Sequence, residues 1–169
     1  MHGHVVQVSL KPREGRARGL PKRAVRHLTI TLEGVQGDFN RWRTETAHGD
    51  PDQAVLLLSA EILADLQAEG WPVEAGDLGE NLTLAGLPAH ALQPGAQVHL
   101  GEVMLEVSKP CVPCTVLYTL PYVGLERGPA FLRTLQGRRG WFARVLQGGA
   151  VYPDTPVEVT HPSRPVPAT

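Results

Sequence analysis

Two cysteines three residues apart, in Ser108-Lys109-Pro110-Cys111-Val112-Pro113-Cys114, are the side chains of this sequence best suited to chemistry. They follow an alternating apolar stretch, Val103, Leu105 and Val107, that reads as a strand. A cysteine just past a strand end points into whatever cleft the neighbouring loops form. Pro110 and Pro113 remove backbone donors and stiffen the loop. The stretch Thr115 to Leu120 is expected to begin a helical turn, with Cys114 at its N-terminus, where exposed amides favour a thiolate.

The pair has four uses on the sequence alone. The two residues serve as small buried hydrophobes, or as half of a zinc site needing two further ligands. The histidines at 2, 4, 27, 48, 90, 99 and 161 show no ligand spacing. A thioredoxin-like redox pair needs a βαβ frame, which the β-rich pattern argues against. The fourth use is a single working thiolate, Cys114, with Cys111 as its neighbour. Such a thiolate could bind a soft metal or carry a sulfur atom.

Three polar segments could complete a site around it. Gly76-Asp77-Leu78-Gly79-Glu80-Asn81-Leu82 has two glycines in four residues, so its amides can turn tightly and hold an anion. It lacks the lysine of a phosphate loop, and a plain helix-to-strand turn explains it equally well. Gly37-Asp38 ends a strand and is followed by Phe39-Asn40-Arg41-Trp42-Arg43. Arg41 and Arg43 could grip an anionic group bidentately, or be solvated arginines of an ordinary turn. Arg138-Arg139-Gly140-Trp141-Phe142-Ala143-Arg144 has the same cation-plus-aromatic make-up. Residues 11–27 carry seven cations against Glu14 alone, in a chain of net charge −1. A local basic stretch in a neutral protein points to a small anionic ligand more than to nucleic acid.

The elements that must position these groups are mostly strands. Val6, Val8 and Leu10 alternate, as do Leu28, Ile30 and Leu32; Ala54 to Leu58 is a continuous apolar run fit for a buried strand. Val98 and Leu100, then Gly101-Glu102, then Val103 onward predict a hairpin. Val157 and Val159 make a last strand. Ser59 caps a helix running to about Glu69 with Ile62, Leu63 and Leu66 as its stripe, and Gly70 stops it. A second helix is expected over Pro129–Gln136, with Phe131, Leu132 and Leu135 inward. Trp141 to Leu146 is ambiguous between strand and helix. With 169 residues, this predicts one mainly β domain over 1–160, a barrel with a few helical insertions, and a proline-rich flexible tail over 161–169. There is neither a signal-peptide pattern at the start nor an apolar run of membrane-spanning length, so the expected location is the cytoplasm.

In this order the segments resemble the MOSC domain, the module named for the C-terminal part of molybdenum cofactor sulfurases. The resemblance runs from about Val5 to Val159. It comprises Gly19-Leu20-Pro21-Lys22, Gly34-Val35-Gln36-Gly37-Asp38, Val55-Leu56-Leu57-Leu58-Ser59-Ala60-Glu61, Gly76 to Thr83 with Gly86-Leu87, and Gly140 to Leu146. Cys114 falls on the family cysteine, in a Pro-x-x-Pro-Cys motif. The chain departs from the family pattern at Phe39-Asn40, where Arg-His is usual, and at Gln53 and Cys111, where arginines are usual. The turn at Asp154-Thr155 replaces a usual Gly-Asp.

The resemblance implies a β-barrel and a molybdenum cofactor (molybdopterin) whose metal Cys114 would ligate. Lys22, Asp38, Arg41, Arg43, Gly79, Glu80, Asn81 and Arg139 would hold the cofactor. The chemistry implied is reduction of N-hydroxylated small molecules, which needs an electron-transfer partner. The alternatives are a non-redox sulfur carrier, with Cys114 as a persulfide exchanging with a sulfur donor or acceptor protein, and a binding module without catalysis. Pyridoxal phosphate enters only as a family-level association. No nucleic acid and no membrane partner are expected.

Overall fold

The computed structural model describes residues 1–15 and 19–162. Arg16 and Arg18 of the basic stretch, and the expected tail from residue 163 onward, lie outside the described residues. In chain order the strands are β1 (His2–Leu10), β2 (Arg23–Ala24), β3 (Leu28–Thr31), β4 (Gly34–Val35) and β5 (Val55–Ser59). Helix α1 (Ala60–Ala68) leads to β6 (Leu82–Ala85), β7 (Gln97–Leu100) and β8 (Val103–Pro110). Helix α2 (Gly124–Thr134) precedes β9 (Trp141–Gln147), β10 (Gly149–Val151) and β11 (Pro156–Thr160).

Seven strands close into a barrel, in the order β11-β7-β8-β9-β5-β6-β1, with β1 pairing back onto β11. Closure leaves these strands no free edge within the ring. Every neighbouring pair is antiparallel except β5 and β6, which run parallel and are joined through α1. Parallel neighbours require such a crossover, whereas the β7–β8 hairpin turns on Gly101 at φ +61°. Strands β10, β3 and β4 form a small sheet beside the barrel.

The apolar run at β5 is explained by two cores. Val55 and Leu57 point into the barrel core with Val5, Val8, Leu82, Leu84, Leu105, Val107 and Ala143. Leu58 packs on the other side, with Leu63, Leu66, Trp71, Leu78, Leu117 and Phe131, under α1 and α2. A strand buried on both faces has no polar alternation to show. Ser59 caps α1 by accepting from the Glu61 amide at 3.2 Å.

Three expectations need correction. In β1 a register shift between Val5 and Gln7 breaks the alternation, so Val5 is buried while Val6 is 43% exposed. The expected inward face of Val6, Val8 and Leu10 therefore holds only from Val8. The Leu28, Ile30, Leu32 face ends with the strand at Thr31, leaving Leu32 exposed. The second helix begins at Gly124 rather than Pro129, which sits inside it. The apolar stripe marked only the C-terminal half, and the first turn is too polar to show a period. Trp141 to Leu146 is strand, set by its pairing with both β5 and β8.

Candidate functional site

The cysteine loop leaves the barrel at the end of β8. The Cys111 amide donates to the Gly140 carbonyl at 3.0 Å, tying the loop to the segment entering β9. Cys111 is buried and Cys114 is exposed, on the first residue before a short 3₁₀ turn, Thr115–Thr119. Burial pushes the Cys111 thiol up, opposed by Arg139, so Cys111 stays a thiol at neutral pH.

Arg139 organises this corner. Its Nη1 donates to Cys114 Sγ at 3.2 Å and to the Val112 carbonyl at 2.9 Å, and its Nε reaches the Leu78 carbonyl at 3.4 Å. The guanidinium is buried, so its fork is held rigidly between the cysteine loop and the Gly76–Leu82 turn.

Cys114 opens on a cleft of about 750 Å³, within the range of small-molecule sites. Lys22, Arg41, Gly79, Lys109 and Arg139 line it, with Leu20, Phe39, Leu56 and Phe142 as apolar wall. A smaller polar recess shares Lys22, Leu56, Gly79 and Phe142 with it and adds Asp38, Arg43 and Asn81. Lys22 Nζ bonds Asp38 Oδ2 at 2.6 Å, and Asn81 Nδ2 bonds the same oxygen at 2.8 Å. Asn81 also accepts from the Leu56 amide at 3.1 Å and donates to the Ser9 carbonyl at 3.2 Å.

Of the residues singled out in the sequence, Lys22, Arg41, Gly79, Cys114 and Arg139 thus meet at the main cleft. Asp38, Arg43 and Asn81 sit in the recess behind it. Glu80 lines neither: its side chain is fully buried on the far side of the turn, where Oε1 accepts from the Gly76 amide at 2.6 Å and Thr83 Oγ1 at 3.1 Å. Oε2 is buried without a partner, and desolvation pushes this carboxyl up to about 7. Gly76 has φ +95°, and a Cβ there would run into the Lys22 carbonyl, so the close approach of turn and Lys22 requires glycine.

Arg43 does not present its guanidinium to the cleft as a free cation. It donates to the carbonyls of Asp50 at 2.9 Å, Glu33 at 2.7 Å and Gly49 at 3.3 Å. Burial holds its pKa below the ordinary value, opposed by Asp50 and Asp38. Arg41 is exposed and pairs with Glu45 at 2.9 Å. The sequence reading left out Trp42, Lys109, Val112 and Phe142, all lining the cleft. Lys109 and Val112 adjoin the cysteines, and Trp42 stands between the two arginines, so adjacency to the motifs was the available signal.

A closed barrel that presents an arginine-bound thiol to a cleft lined by polar and aromatic side chains characterises the class of protein. The MOSC domain family model matches residues 44–158, and the chain belongs to that family. The match begins after the Gly19–Lys22 and Gly34–Asp38 segments. The chain is 31% identical over 137 residues to Protein YiiM of Escherichia coli, covering 78% of this chain and 58% of that protein. It is 33% identical over 114 residues to Uncharacterized protein YflK of Bacillus subtilis, covering 66% and 50%. It therefore spans little more than half the length of these curated relatives. The structure of the YUAD protein from Bacillus subtilis shares the fold, with a TM-score of 0.78 at 20% identity over 94% of this chain and 96% of that one. Of the positions where the sequence departs from the pattern expected by resemblance, Phe39, Asn40, Gln53 and Cys111 line the cleft, and Asp154 and Thr155 do not.

Proposed function

We propose that this protein binds a molybdenum-pterin cofactor through Cys114 and reduces N-hydroxylated small molecules in the cytoplasm. The observation that carries the reading is an exposed thiol, held by a buried guanidinium, lining a cleft of about 750 Å³. The donor set fits a metal that brings its own ligands. Among the described residues no group of three His, Cys, Asp or Glu is placed to hold a metal ion, so one thiolate must be joined by ligands from the cofactor. In the main cleft Lys22, Arg41 and Lys109 are paired to Asp38, Glu45 and Asp50, and among the described residues Arg139 is the lining cation without a carboxylate partner, a single positive charge suited to an anionic group.

In this reading Cys114 Sγ ligates the metal, and Arg139 fixes that sulfur and the loop beneath it. Lys22, Arg41 and Gly79 flank the cofactor, with Asp38, Arg43 and Asn81 setting the floor and Glu80 bracing the turn from behind. A bound cofactor would supply the two electrons that N–O cleavage consumes, with two protons taken up and the oxygen leaving as water, and an electron-transfer partner would replenish them. Phe39, Leu56 and Phe142 exclude water from one wall. Lys109 Nζ, paired to Asp50 Oδ2 at 3.0 Å, stands at the other.

A second reading, a persulfide carrier on Cys114, draws support from Cys111 in the same cleft. Its elevated thiol makes it a weak attacking group, which favours the first reading. The test is purification of the full chain from a cofactor-competent host. Near-stoichiometric molybdenum with the fluorescence of released pterin supports the proposal. Sulfane sulfur without molybdenum supports the carrier.

A further inference from the structure

Helix α2 carries Gly128 and Pro129 in its middle, two residue types that cost helix stability there. Gly128 does not serve the backbone: its φ lies outside the left-handed region, so alanine would suit the helix better. What it supplies is room. The Tyr118 ring lies against Gly128, and a Cβ there would run into its Cδ1, Cε1 and Cζ.

That contact bears on Cys114. Tyr118 belongs to the 3₁₀ turn Thr115–Thr119, which Cys114 caps, and the Leu117 amide donates to the Cys114 carbonyl at 3.1 Å. Leu117 and Leu120 are buried in one core with Phe131 and Leu135, so the turn is seated on α2 as a unit. Beyond the end of α2 the chain reaches Arg139, whose Nη1 meets Cys114 Sγ at 3.2 Å. The thiol and its partner cation are thus both hung from this helix, one through the turn and one through the chain that follows. A side chain at 128 must push the ring away, and the turn with it. A shift of about 1 Å takes the sulfur to the edge of hydrogen-bond contact.

We propose that Gly128 is a positioning residue for Cys114: by letting the Tyr118 ring lie against α2, it sets the distance between the thiol and Arg139. The inference goes beyond the cofactor reading, since it concerns where the thiol stands, whatever the thiol carries.

The test alkylates Cys114 in the full chain, expressed without the cofactor, using iodoacetate and iodoacetamide, and assigns the label by mass spectrometry. The reagents are nearly equal in size and differ by one negative charge. The ratio of their rates therefore cancels the reactivity of the sulfur and reads the cation beside it. Wild type should show a ratio about fivefold above that of Arg139→Gln. Gly128→Ala should lose most of that excess, while Tyr118→Phe, which keeps the ring, retains it. Combining Gly128→Ala with Tyr118→Leu removes the overlap and should regain most of it. Ala130→Gly weakens the same helix at an exposed position and should leave the ratio unchanged. An unchanged ratio in folded Gly128→Ala, an equal loss in Ala130→Gly, or no recovery in the paired variant overturns the proposal. So does a wild-type ratio no higher than that of Arg139→Gln, since the thiol would then not stand against the cation. If Gly128→Ala alone does not fold, the paired variant decides: a folded protein with the ratio restored supports the proposal, and an unfolded one overturns it. Molybdenum content does not enter this readout, so its outcome is separate from that of the cofactor reading.

Discussion

The floor and the rim of the cleft are built on opposite principles. On the floor, Lys22, Asp38, Asn81 and the neighbouring Glu80 are buried or nearly so, and they bond one another or nearby backbone. At the rim, Cys114, Arg41, Trp42 and Val112 are exposed, and among the described residues the side-chain bond reaching the thiol comes from buried Arg139. The glycine-rich segment therefore works as architecture: it fixes where the cleft is. The reactive and recognising groups sit on irregular turns mounted upon it, where exposure costs little stability and leaves the side chains free to meet a ligand.

The contrast predicts where substitutions hurt folding. Lys22→Met should have the largest effect, about 3–5 kcal/mol in urea unfolding, because it leaves the Asp38 carboxylate nearly buried without its ion pair. A loss below 1 kcal/mol would show that the floor is not the rigid part.

Glu80 gives the next effect and a pH signature. Its folded pKa of about 7 lies above the 4.5 of a free glutamate. The folded state thus binds the extra proton, so this contribution is fully present below pH 4.5 and is lost as pH rises through 7. Wild-type stability should fall between pH 5 and 8 by at most roughly 3 kcal/mol from this group. Glu80→Gln should flatten that slope in unfolding measured across the series. An unchanged slope would assign it elsewhere.

Arg41→Gln at the rim should change stability least, by less than about 0.5 kcal/mol, since its pair with Glu45 is solvent-exposed. A loss comparable to that of Lys22→Met would erase the distinction between floor and rim.

Much of this arrangement was legible in the sequence. Alternation and turn glycines marked five of the seven barrel strands, β1, β5, β7, β8 and β11, but not β6, and left β9 open; the family resemblance pointed to Lys22, Arg41, Gly79, Cys114 and Arg139, which line the cleft. Three things were not legible. The Val5–Gln7 register shift depends on which strand pairs with which, a non-local fact. The direction of Glu80, away from the cleft its neighbours Gly79 and Asn81 line, is held by the Gly76 amide and the Thr83 hydroxyl, bonds that no local pattern in the segment announces. Arg43 and Arg41 look equivalent in sequence, yet one is spent on backbone carbonyls and the other faces solvent, because the π-helical turn Trp42–Thr46 sends them different ways.

The central claim is that one thiol, not the pair, makes the site. Molybdenum and pterin content, measured in parallel on wild type, Cys114→Ser and Cys111→Ser from one cofactor-competent host, tests it most directly. Cys114→Ser should lose nearly all of both, because it removes the exposed sulfur that Arg139 holds. Cys111→Ser should keep most of both, because that thiol is buried and protonated. Equal losses in the two variants, or full retention in Cys114→Ser, would contradict the account.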